Sequence, residues 1–341
     1  MKAIQFDNFG EPSVLKSVDI VKPEILPNEV LIKVSQIGVN YHETLQRQGN
    51  YPGPALSLPA ILGSEVVGTV EELGIDINYI QVGSRVAVPL FAIQPTGGYA
   101  EYVKIPANFL VPIPDSISDE QALSTMLQGL VAYFLLKENS IQGKVVLVTA
   151  AAGGVGSLLV ELAKIQGASK VIGIVGSDEK IEYLKTKGID YGLNYKAKDW
   201  TQSLSEISDS SPIDLIFDSV GGDIAQTILQ KLNTFGTFVS YGAASGVLPE
   251  LNVNDINRFI FLSQTFKGFA LFNSLNEISI KEGLTDLFKL IEEGKLKPAI
   301  EQSGQLCGRV EGSALGGGRG AMGVGRGGGE RGGEKEKEEK E

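Results

Sequence analysis

From about Lys144 to Leu262 the chain alternates between short apolar runs and segments with helical spacing, and this alternation constrains the fold more than any other feature. The apolar runs are KVVLVTA, KVIGIVG, IDLIFDSV and GTFVSYGA. Strands that are apolar along their whole length indicate a parallel sheet covered by helices on both faces. Residues 121–263 are therefore predicted to form a doubly wound α/β domain, preceded by a helix whose N-cap is Ser118.

The first 120 residues follow a different pattern, which predicts a separate domain. Four segments rich in valine, isoleucine and aromatic residues are separated by turn residues; they are EVLIKVSQIGV, GSEVVGTVEEL, SRVAVPLF and GGYAEYVKI. This spacing is typical of a compact, barrel-like antiparallel fold. Beyond residue 263, TFKGFALF is expected to form a strand and LTDLFKLIEEGKL an amphipathic helix.

The C-terminal segment, residues 304–341, has a composition of its own. It contains 14 glycines in 38 residues and ends in EKEKEEKE. Such a segment buries too little apolar surface to offset its ordering entropy, so we predict that it is disordered. Three arginines among glycines are similar to RNA-binding RGG segments; they are Arg319, Arg326 and Arg331. The acidic end would repel phosphate, and no nucleic-acid partner is expected.

Composition narrows the class of protein further. No apolar run approaches the roughly 20 residues that a bilayer span needs, and the N-terminus lacks a signal-peptide pattern. Cys307 is the only cysteine, which excludes a disulfide framework and a cysteine zinc site. The formal charge of −11 disfavours a polyanionic partner but not a nucleotide, which a few amides and a lysine bind. We expect a cytoplasmic protein without a membrane partner.

A glycine-rich turn follows the first strand of the alternating region. Ala151 occupies the first position of a G-x-G-x-x-G pattern, and the segment predicted to hold a pyrophosphate is Gly153, Gly154, Val155 and Gly156. Glycine lets the backbone approach the phosphates and the helix pack closely on the strand, while the helix N-terminus offers free amides. The pattern also fits an ordinary tight turn, but the strand before it and the helix after it favour a dinucleotide.

The end of the second strand indicates which dinucleotide is bound. NAD sites usually place an acid there to hold the ribose 2′-hydroxyl, and the sequence has Val175 instead. Without that acid a 2′-phosphate is not repelled, so NADPH is expected. Ser177, Lys180 and Tyr195 lie close enough in sequence to receive the phosphate. The alternative is that Ser177 is only an N-cap and Lys180 only a solvated charge.

Seven segments of the chain resemble the zeta-crystallin-like quinone oxidoreductases, in the medium-chain dehydrogenase/reductase superfamily. The resemblance covers about residues 1–303 and is carried by VNYHETLQRQGNYP, LPAILGSEVVGTV, VGSRVAV, GGYAEY, AAAGGVGS, LNY and FDSVGG. It implies a GroES-like catalytic domain over residues 1–120, an inserted Rossmann domain over 121–263 and a return to the catalytic domain over 264–303. It also implies a homodimer.

The same resemblance implies positions for the cofactor. Ser177, Lys180 and Tyr195 match the positions that hold the NADPH 2′-phosphate. The residues that match segments near the nicotinamide half are Asn40, Gln128, Ser219, Tyr241, Gly242 and Phe269. The zinc ligands of alcohol-dehydrogenase relatives correspond here to Asn40, Ser64 and Leu127, which are not a competent ligand set. We therefore expect no metal.

A metal-free site favours activated acceptors, because nothing lowers the pKa of an alcohol hydroxyl. We expect hydride transfer from NADPH to a quinone, with an enone or alkene as the alternative acceptor. Tyr51 and Asn40 are the expected catalytic residues, with Tyr51 as proton donor, although Tyr51 could equally be a packed aromatic. His42, the only histidine, is either a proton relay or, more simply, a hydrogen-bonded structural residue.

Leu45 replaces a tyrosine that is usual in the resembling family, which makes the substrate cleft less predictable. The C-terminal segment leaves a further hypothesis open, in which the protein binds the cofactor without turnover. After IEQS the sequence departs from that family, which continues with a helix and a strand, and turns to GQLCGRVEGSALGGGRG. We interpret the change as a shifted reading frame or a mis-predicted terminal exon. It is expected to leave apolar surface near Phe91 or Leu110 uncovered.

Overall fold

The computed structural model describes residues 1–93 and 97–300, together with the backbone of two short strands, Gln302–Gln305 and Gly323–Arg326. Within these residues, no helix has the length and the apolar character needed to cross a bilayer. The elements fall into an antiparallel part, a parallel part and a returning helix, in the order that the sequence predicts.

The N-terminal part is built on a long central strand, β3. Its elements are β1 (Lys2–Phe6), β2 (Lys16–Asp19), β3 (Glu29–Val39), α1 (Tyr41–Gln48), β4 (Ala60–Ile61), β5 (Val66–Leu73), β6 (Arg85–Val88), β7 (Tyr102–Pro106) and β8 (Val111–Pro112). Strand β3 pairs antiparallel with β5 on one edge and with β7 on the other, and β6 and β8 extend the sheet beyond β5. The predicted antiparallel domain is confirmed.

The middle of the chain forms the predicted parallel sheet. Its elements are α2 (Asp119–Thr125), α3 (Leu127–Lys137), β9 (Val145–Thr149), α4 (Gly154–Ile165), β10 (Lys170–Val175), α5 (Asp178–Thr186), β11 (Tyr191–Asn194), α6 (Trp200–Ser210), β12 (Ile213–Asp218), α7 (Gly222–Leu229), β13 (Leu232–Ser240), α8 (Val253–Phe261) and β14 (Thr265–Gly268). Ser118 caps α2, as expected.

The six parallel strands run in the order β11-β10-β9-β12-β13-β14, which is the Rossmann order. The strand order reverses between β9 and β12, so the connections after these strands leave the sheet in opposite directions. Ligands of open parallel sheets bind in the crevice that this reversal creates beyond the carboxyl ends of the strands. The glycine turn after β9 lies at that edge.

Helix α9 (Glu277–Glu292) returns from the parallel sheet to the rest of the molecule. Leu284 and Leu287 are fully buried in the same core as Leu130 of α3. The approach of the two helices is close, because a Cβ at Gly283 would lie 2.7 Å from a methyl carbon of Leu130. Glu277 also accepts a hydrogen bond from Asn108 of the N-terminal part, so α9 contacts both domains.

Two observations bear on the expectations about the C-terminal segment, whose disorder stays a prediction. Phe91 and Leu110 are 4% and 2% exposed, because each packs inside a hydrophobic core formed by the described residues. Strand β16 (Gly323–Arg326) lies within the segment predicted to be disordered and pairs antiparallel with residues 36–39 of β3. This edge of β3 lies beyond its pairing with β7 and offers free backbone groups. Strand β15 (Gln302–Gln305) pairs with β16, and the other residues of that segment lie outside the described part.

Phe238 tests the core of the parallel sheet. Its side chain is fully buried and stacks on Phe266 with ring centroids 5.3 Å apart. Phe238→Ala is expected to lower the free energy of unfolding by about 3–5 kcal/mol, measured by denaturant titration. The control, Phe272→Ala, removes a ring that is 53% exposed and is expected to change it by less than about 0.5 kcal/mol. Equal losses in the two variants would contradict this assignment of the core.

Candidate active site

The glycine turn joins β9 to α4 through a backbone that only small residues allow. Ala150 has a φ of +46°, in the left-handed region. A Cβ at Gly156 would lie 2.4 Å from the carbonyl oxygen of Ala150 and 2.7 Å from the Cα of Ala151, so a side chain there would force the helix away from the strand. Gly153 is the N-cap and has no side chain to occupy the amides of the first turn. Those amides are free to bind an anion.

Ala151, the imperfect first position of the glycine pattern, has a packing role. It is fully buried, and its amide donates to the carbonyl of Ile174 at 3.2 Å. A Cβ at Gly173 of β10 would lie 3.2 Å from the Cβ of Ala151. The methyl group of Ala151 thus fills the space that Gly173 leaves open, which explains why alanine is tolerated at this position.

The three residues predicted to hold a 2′-phosphate lie together at the carboxyl ends of β10 and β11. Ser177 occupies the N-cap of α5, but its hydroxyl makes no capping hydrogen bond. Lys180 has no ion-pair partner among the described side chains. The hydroxyl of Tyr195 lies against Gly176, 2.9 Å from the position of a Cβ there. A hydroxyl, an ammonium and a phenol therefore share one edge of the sheet, with Val175 buried at the strand end.

A chain of three buried polar side chains connects the N-terminal domain to the glycine turn. Asn40, the N-cap of α1, donates from Nδ2 to Oε1 of Glu65 at 2.9 Å. Oδ1 of Asn40 accepts from Nε2 of Gln128 at 2.6 Å. The other carboxyl oxygen of Glu65 accepts from the backbone amide of Leu127 at 2.8 Å. Burial raises the pKa of Glu65 to about 8, although the hydrogen bonds from Asn40 and Leu127 act in the opposite direction.

Gln128 has one polar atom without a partner. Its Oε1 is buried and accepts no hydrogen bond from the described residues. The side chain packs against the glycine turn, since a Cβ at Gly154 would lie 3.0 Å from Cγ of Gln128. A buried acceptor without a donor costs about 1–3 kcal/mol, so this oxygen beside the turn indicates a place where a ligand supplies a donor.

A second buried carboxyl, Glu43, organises the surroundings of Asn40. It accepts from the amides of Asn40 and Ser64, from the hydroxyl of Ser64 and from the phenol of Tyr99, at 2.7–3.0 Å. Since Ser64 donates its only hydroxyl hydrogen to Glu43, it accepts a hydrogen bond from Nε2 of His42, which lies at 2.8 Å. Nδ1 of neutral His42 is then the unprotonated ring nitrogen.

His42 and Tyr51 are neighbours, with ring centroids 6.0 Å apart. Burial lowers the pKa of His42 below its usual value. The ring of Tyr51 lies over Gly53, where a Cβ would come within 2.3 Å of it. The hydrogen bond to Ser64 matches the structural alternative for His42, and Tyr51 stays a predicted proton donor.

The remaining predicted residues follow β12, β13 and β14. The amide of Tyr241 donates to the carbonyl of Asp218 at 2.8 Å, and a Cβ at Gly242 would lie 3.1 Å from the carbonyl oxygen of Ser219. Burial raises the pKa of Tyr241. The amide of Phe269 donates to the carbonyl of Ser240 at 2.9 Å, so these loops form one wall of the crevice.

Three buried acids were missed as organising residues by reasoning from the sequence. They are Glu43, Glu65 and Asp218. Asp218 accepts from the hydroxyl of Thr149 at 2.7 Å and from the amides of Val220 and Gly221, and burial raises its pKa. Glu43 has a local signal, since it is three residues after the N-cap Asn40 in a capping box. Glu65 has none, because its partners are distant in sequence, and the side-chain partner of Asp218, Thr149, is equally distant.

The positions that correspond to zinc ligands hold groups of other chemistry. Asn40 presents an amide that is hydrogen-bonded at both ends, Ser64 presents a hydroxyl that is bound to Glu43, and Leu127 contributes only its backbone amide. Within residues 1–93 and 97–300, no group of three histidine, cysteine, aspartate or glutamate side chains has the geometry of a metal site. Hydrogen bonds connect the positions in place of a shared ligand.

A GroES-like domain followed by a Rossmann domain is the architecture of the medium-chain dehydrogenases/reductases. Residues 26–115 match the family model of the alcohol dehydrogenase GroES-like domain, and residues 154–289 match the model described as zinc-binding dehydrogenase. A quinone oxidoreductase of Salmonella typhimurium is 33% identical over 302 residues, which are 88% of this chain and 90% of that protein. The chain belongs to the quinone oxidoreductase family of this superfamily.

Other relatives agree with this assignment. The crystal structure of Escherichia coli quinone oxidoreductase complexed with NADPH superposes with a TM-score of 0.84 at 29% identity, covering 95% of this chain and 100% of that chain. A 2-haloacrylate reductase of Burkholderia sp. is 31% identical over 307 residues, which are 87% of this chain and 88% of that protein. The fold is thus shared by reductases of more than one acceptor class.

The raised pKa of Glu65 predicts how stability depends on pH. The folded protein keeps a proton on Glu65 up to about pH 8, whereas the unfolded chain releases it near its ordinary value of 4.5. Unfolding between these values releases that proton, so Glu65 makes stability fall as pH rises, with a limiting slope of about 1.4 kcal/mol per pH unit. Glu65→Gln removes this contribution.

Chemical denaturation of the wild type and Glu65→Gln at several pH values measures the difference. Other buried acids, such as Asp218, contribute equally to both proteins and cancel. The stability of the variant relative to the wild type is expected to increase steadily from about pH 5 to about pH 8. A difference that does not change with pH would contradict the assigned burial of the Glu65 charge.

Proposed function

We propose that this protein is a zinc-independent oxidoreductase that transfers a hydride from NADPH to a quinone. The observation that carries the proposal is the set of groups at the zinc-ligand positions: an amide, a hydroxyl and a backbone amide, hydrogen-bonded beside the glycine turn. The relationship to quinone oxidoreductases supports quinones as the acceptor class.

The described residues fit NADPH in three respects. The turn at Gly153, Gly154, Val155 and Gly156 has uncapped helix amides for the pyrophosphate. Ser177, Lys180 and Tyr195 provide hydrogen-bond donors and one positive charge for the 2′-phosphate. The free end of the Gln128 amide lies buried beside the turn without a partner among the described residues. When bound, NADPH supplies the hydride, and the crevice walls at Ser219, Tyr241, Gly242 and Phe269 hold its nicotinamide half.

The chemistry of the protein groups favours acceptors that are already electron-poor. Asn40, Ser64 and Leu127 offer no Lewis acid, so these three positions supply nothing that lowers the pKa of an alcohol hydroxyl. A quinone needs only orientation, together with stabilisation and protonation of the oxyanion that forms. Tyr51 is the proposed proton donor, and Asn40 positions the groups around the acceptor through its hydrogen bonds to Glu65 and Gln128.

The second candidate is reduction of an activated carbon–carbon double bond. The similarity to a 2-haloacrylate reductase favours it, because that relative is almost as similar as the quinone oxidoreductases. The site described above has no zinc-dependent chemistry that would favour a quinone over an activated double bond, or the reverse. A third candidate, cofactor binding without turnover, rests on the unusual sequence after Ser303.

An acceptor panel tests the proposal and separates the candidates. Purified protein is incubated with NADPH or NADH and a series of quinones, enones and haloacrylates, and oxidation is followed at the nicotinamide absorbance. Fastest turnover with quinones supports the proposal, and fastest turnover with enones or haloacrylates supports the second candidate. Tight NADPH binding without oxidation by any acceptor would overturn both enzyme proposals in favour of the third.

Lys180 is the residue on which the preference for NADPH depends most directly, since it carries the only positive charge of the proposed phosphate site. Lys180→Gln is expected to weaken NADPH about tenfold, the effect of losing one charge-assisted hydrogen bond, and to leave NADH unchanged. The measurement is the Michaelis or dissociation constant for each nucleotide.

A matched control lies five residues along the same helix. Lys185 is exposed and forms an ion pair with Glu182, so Lys185→Gln is expected to affect neither nucleotide. If Lys180→Gln weakens both nucleotides to the same degree, or neither, the proposed phosphate site is wrong.

We also propose that the protein is a homodimer joined through its Rossmann domain. Helix α8 exposes Val253, Ile260 and Phe261 by 76%, 68% and 83%. Phe235 is 78% exposed, and its amide donates to the carbonyl of Leu262, so it adjoins the same surface. Contiguous exposed apolar side chains of this kind are typical of an interface, and β14, at the edge of the sheet, lies beside them.

Ile260 tests this interface. Ile260→Glu places a charge in the apolar surface and is expected to convert the dimer to monomer, measured by sedimentation velocity. Ile75→Glu is the control, because Ile75 is 90% exposed but lies in the N-terminal domain. A monomeric wild type, or an unchanged mass in Ile260→Glu, would contradict the proposal.

The domain limits at residues 120, 263 and 303, a cytoplasmic location and the lack of a nucleic-acid partner stay predictions from the sequence. The packing of α9 against both domains supports the return of residues 264–303 to the catalytic domain.

A further inference from the structure

The hydrogen bonds that connect Gln128, Asn40 and Glu65 run in one direction, since Gln128 donates to Asn40 and Asn40 donates to Glu65. An ionised carboxylate only accepts hydrogen bonds, so Asn40 must turn its NH2 group towards Glu65. The carbonyl oxygen of Asn40 then faces Gln128 and accepts from the NH2 group of Gln128. This leaves the carbonyl oxygen of Gln128 as the free end of the chain, and it is the buried oxygen without a partner.

The orientation of the Asn40 and Gln128 amides reverses when the side chain at position 65 donates a hydrogen bond to Asn40. Oε2 of Glu65 accepts a hydrogen bond from the backbone amide of Leu127. A neutral side chain at position 65 therefore has only its other polar atom available to Asn40. A donor at that end requires the carbonyl oxygen of Asn40 to face position 65. Asn40 then offers its NH2 group to Gln128, and the free end of Gln128 becomes its NH2 group.

Resting on the proposed function, we propose that Glu65 is a positioning residue that sets which end of the Gln128 amide meets the nicotinamide carboxamide. With Glu65 ionised, Gln128 presents an oxygen that accepts from the carboxamide NH2 group. With Glu65 neutral, Gln128 presents an NH2 group that donates to a carbonyl oxygen. Glu65 lies behind Asn40 and acts through two hydrogen bonds.

Among the titratable groups of this cluster, Glu65 is the one whose protonation state changes between neutral and alkaline pH. The titratable groups around it are Glu43 and His42 on α1 and Tyr99 near the start of β7. Burial and Glu43 keep the pKa of Tyr99 well above its ordinary value, and burial lowers the pKa of His42. Glu43 accepts hydrogen bonds from four donors. The pKa of Glu65 is about 8.

Glu65→Gln fixes the reversed direction at every pH. The carbonyl oxygen of the new amide accepts from the Leu127 amide, so its NH2 group faces Asn40 and reverses the chain. The variant has nearly the volume of the wild type and carries no buried charge. It therefore separates the direction of the hydrogen bonds from the packing of the cluster.

The probe pair is NADP+ and its 3-acetylpyridine analogue, in which a methyl group replaces the carboxamide NH2 group. Calorimetry measures the dissociation constant of each at about pH 9 and at about pH 6.5, on either side of the Glu65 pKa. Only their ratio is used, because titration of the 2′-phosphate affects both nucleotides alike. The readout is binding and requires no turnover.

In the wild type at about pH 9, NADP+ is expected to bind about threefold to tenfold more tightly than the analogue, the effect of one net hydrogen bond. The ratio is expected to approach one at about pH 6.5. Glu65→Gln is expected to give a ratio near one at both pH values. Its preference for NADP+ over NAD+ is expected to equal that of the wild type, because Ser177, Lys180 and Tyr195 are unchanged.

A Glu65→Gln protein that keeps the wild-type ratio at about pH 9 overturns the inference, while the proposed function stands. A wild type that binds NADP+ with a ratio near one at both pH values overturns it as well. Gln128→Leu is the second variant. It keeps Glu65 unchanged and is expected to bring the ratio of the two dissociation constants close to one. The inference can therefore still be tested if the Glu65→Gln protein fails to fold. A wild type that binds neither nucleotide overturns the proposed function and the inference together.

Discussion

The side-chain amide of Asn40 joins the two domains at the crevice, and the arrangement of the proposed site depends on it. One end of the amide is bound to Glu65 of the N-terminal domain and the other to Gln128 at the start of α3. The Asn40 backbone amide is bound to Glu43, which also fixes Ser64 and Tyr99. Where a metal ion in zinc-dependent relatives would draw these segments together, hydrogen bonds to two buried carboxyl groups perform that structural role here.

This arrangement has an energetic cost that shapes the site. Burial of Glu65 raises its pKa to about 8 even though two donors stabilise its charge. Desolvation therefore outweighs the hydrogen bonds, as expected for a carboxyl group without a cationic partner. The proposed phosphate site depends on a different balance. An overall charge of −11 does not prevent it, because the proposed ligands Ser177, Lys180 and Tyr195 share one edge of the sheet, and nearby charges outweigh distant ones that salt screens.

The sequence predicted the elements whose signals are local. Apolar runs, helical spacing and the glycine pattern were sufficient for the parallel sheet, for the turn at Gly153–Gly156 and for the N-cap at Ser118. It did not predict the roles of Glu65 and Asp218, because the donors of Glu65 and the side-chain donor of Asp218 come from positions tens of residues away. Strand β16 was missed for a related reason: its pairing depends on a free edge of β3, which composition alone does not reveal. Burial of Phe91 and Leu110 likewise depends on distant neighbours.

Hydride transfer from NADPH to a quinone is proposed to proceed on this scaffold without a metal ion. A single-turnover experiment tests it most directly: protein treated with a chelator and loaded with one equivalent of NADPH is mixed with a quinone. We expect one equivalent of hydroquinone for each NADPH consumed, at a rate that chelation and added zinc leave unchanged. Absence of hydroquinone, or activity that chelation abolishes and zinc restores, would contradict it.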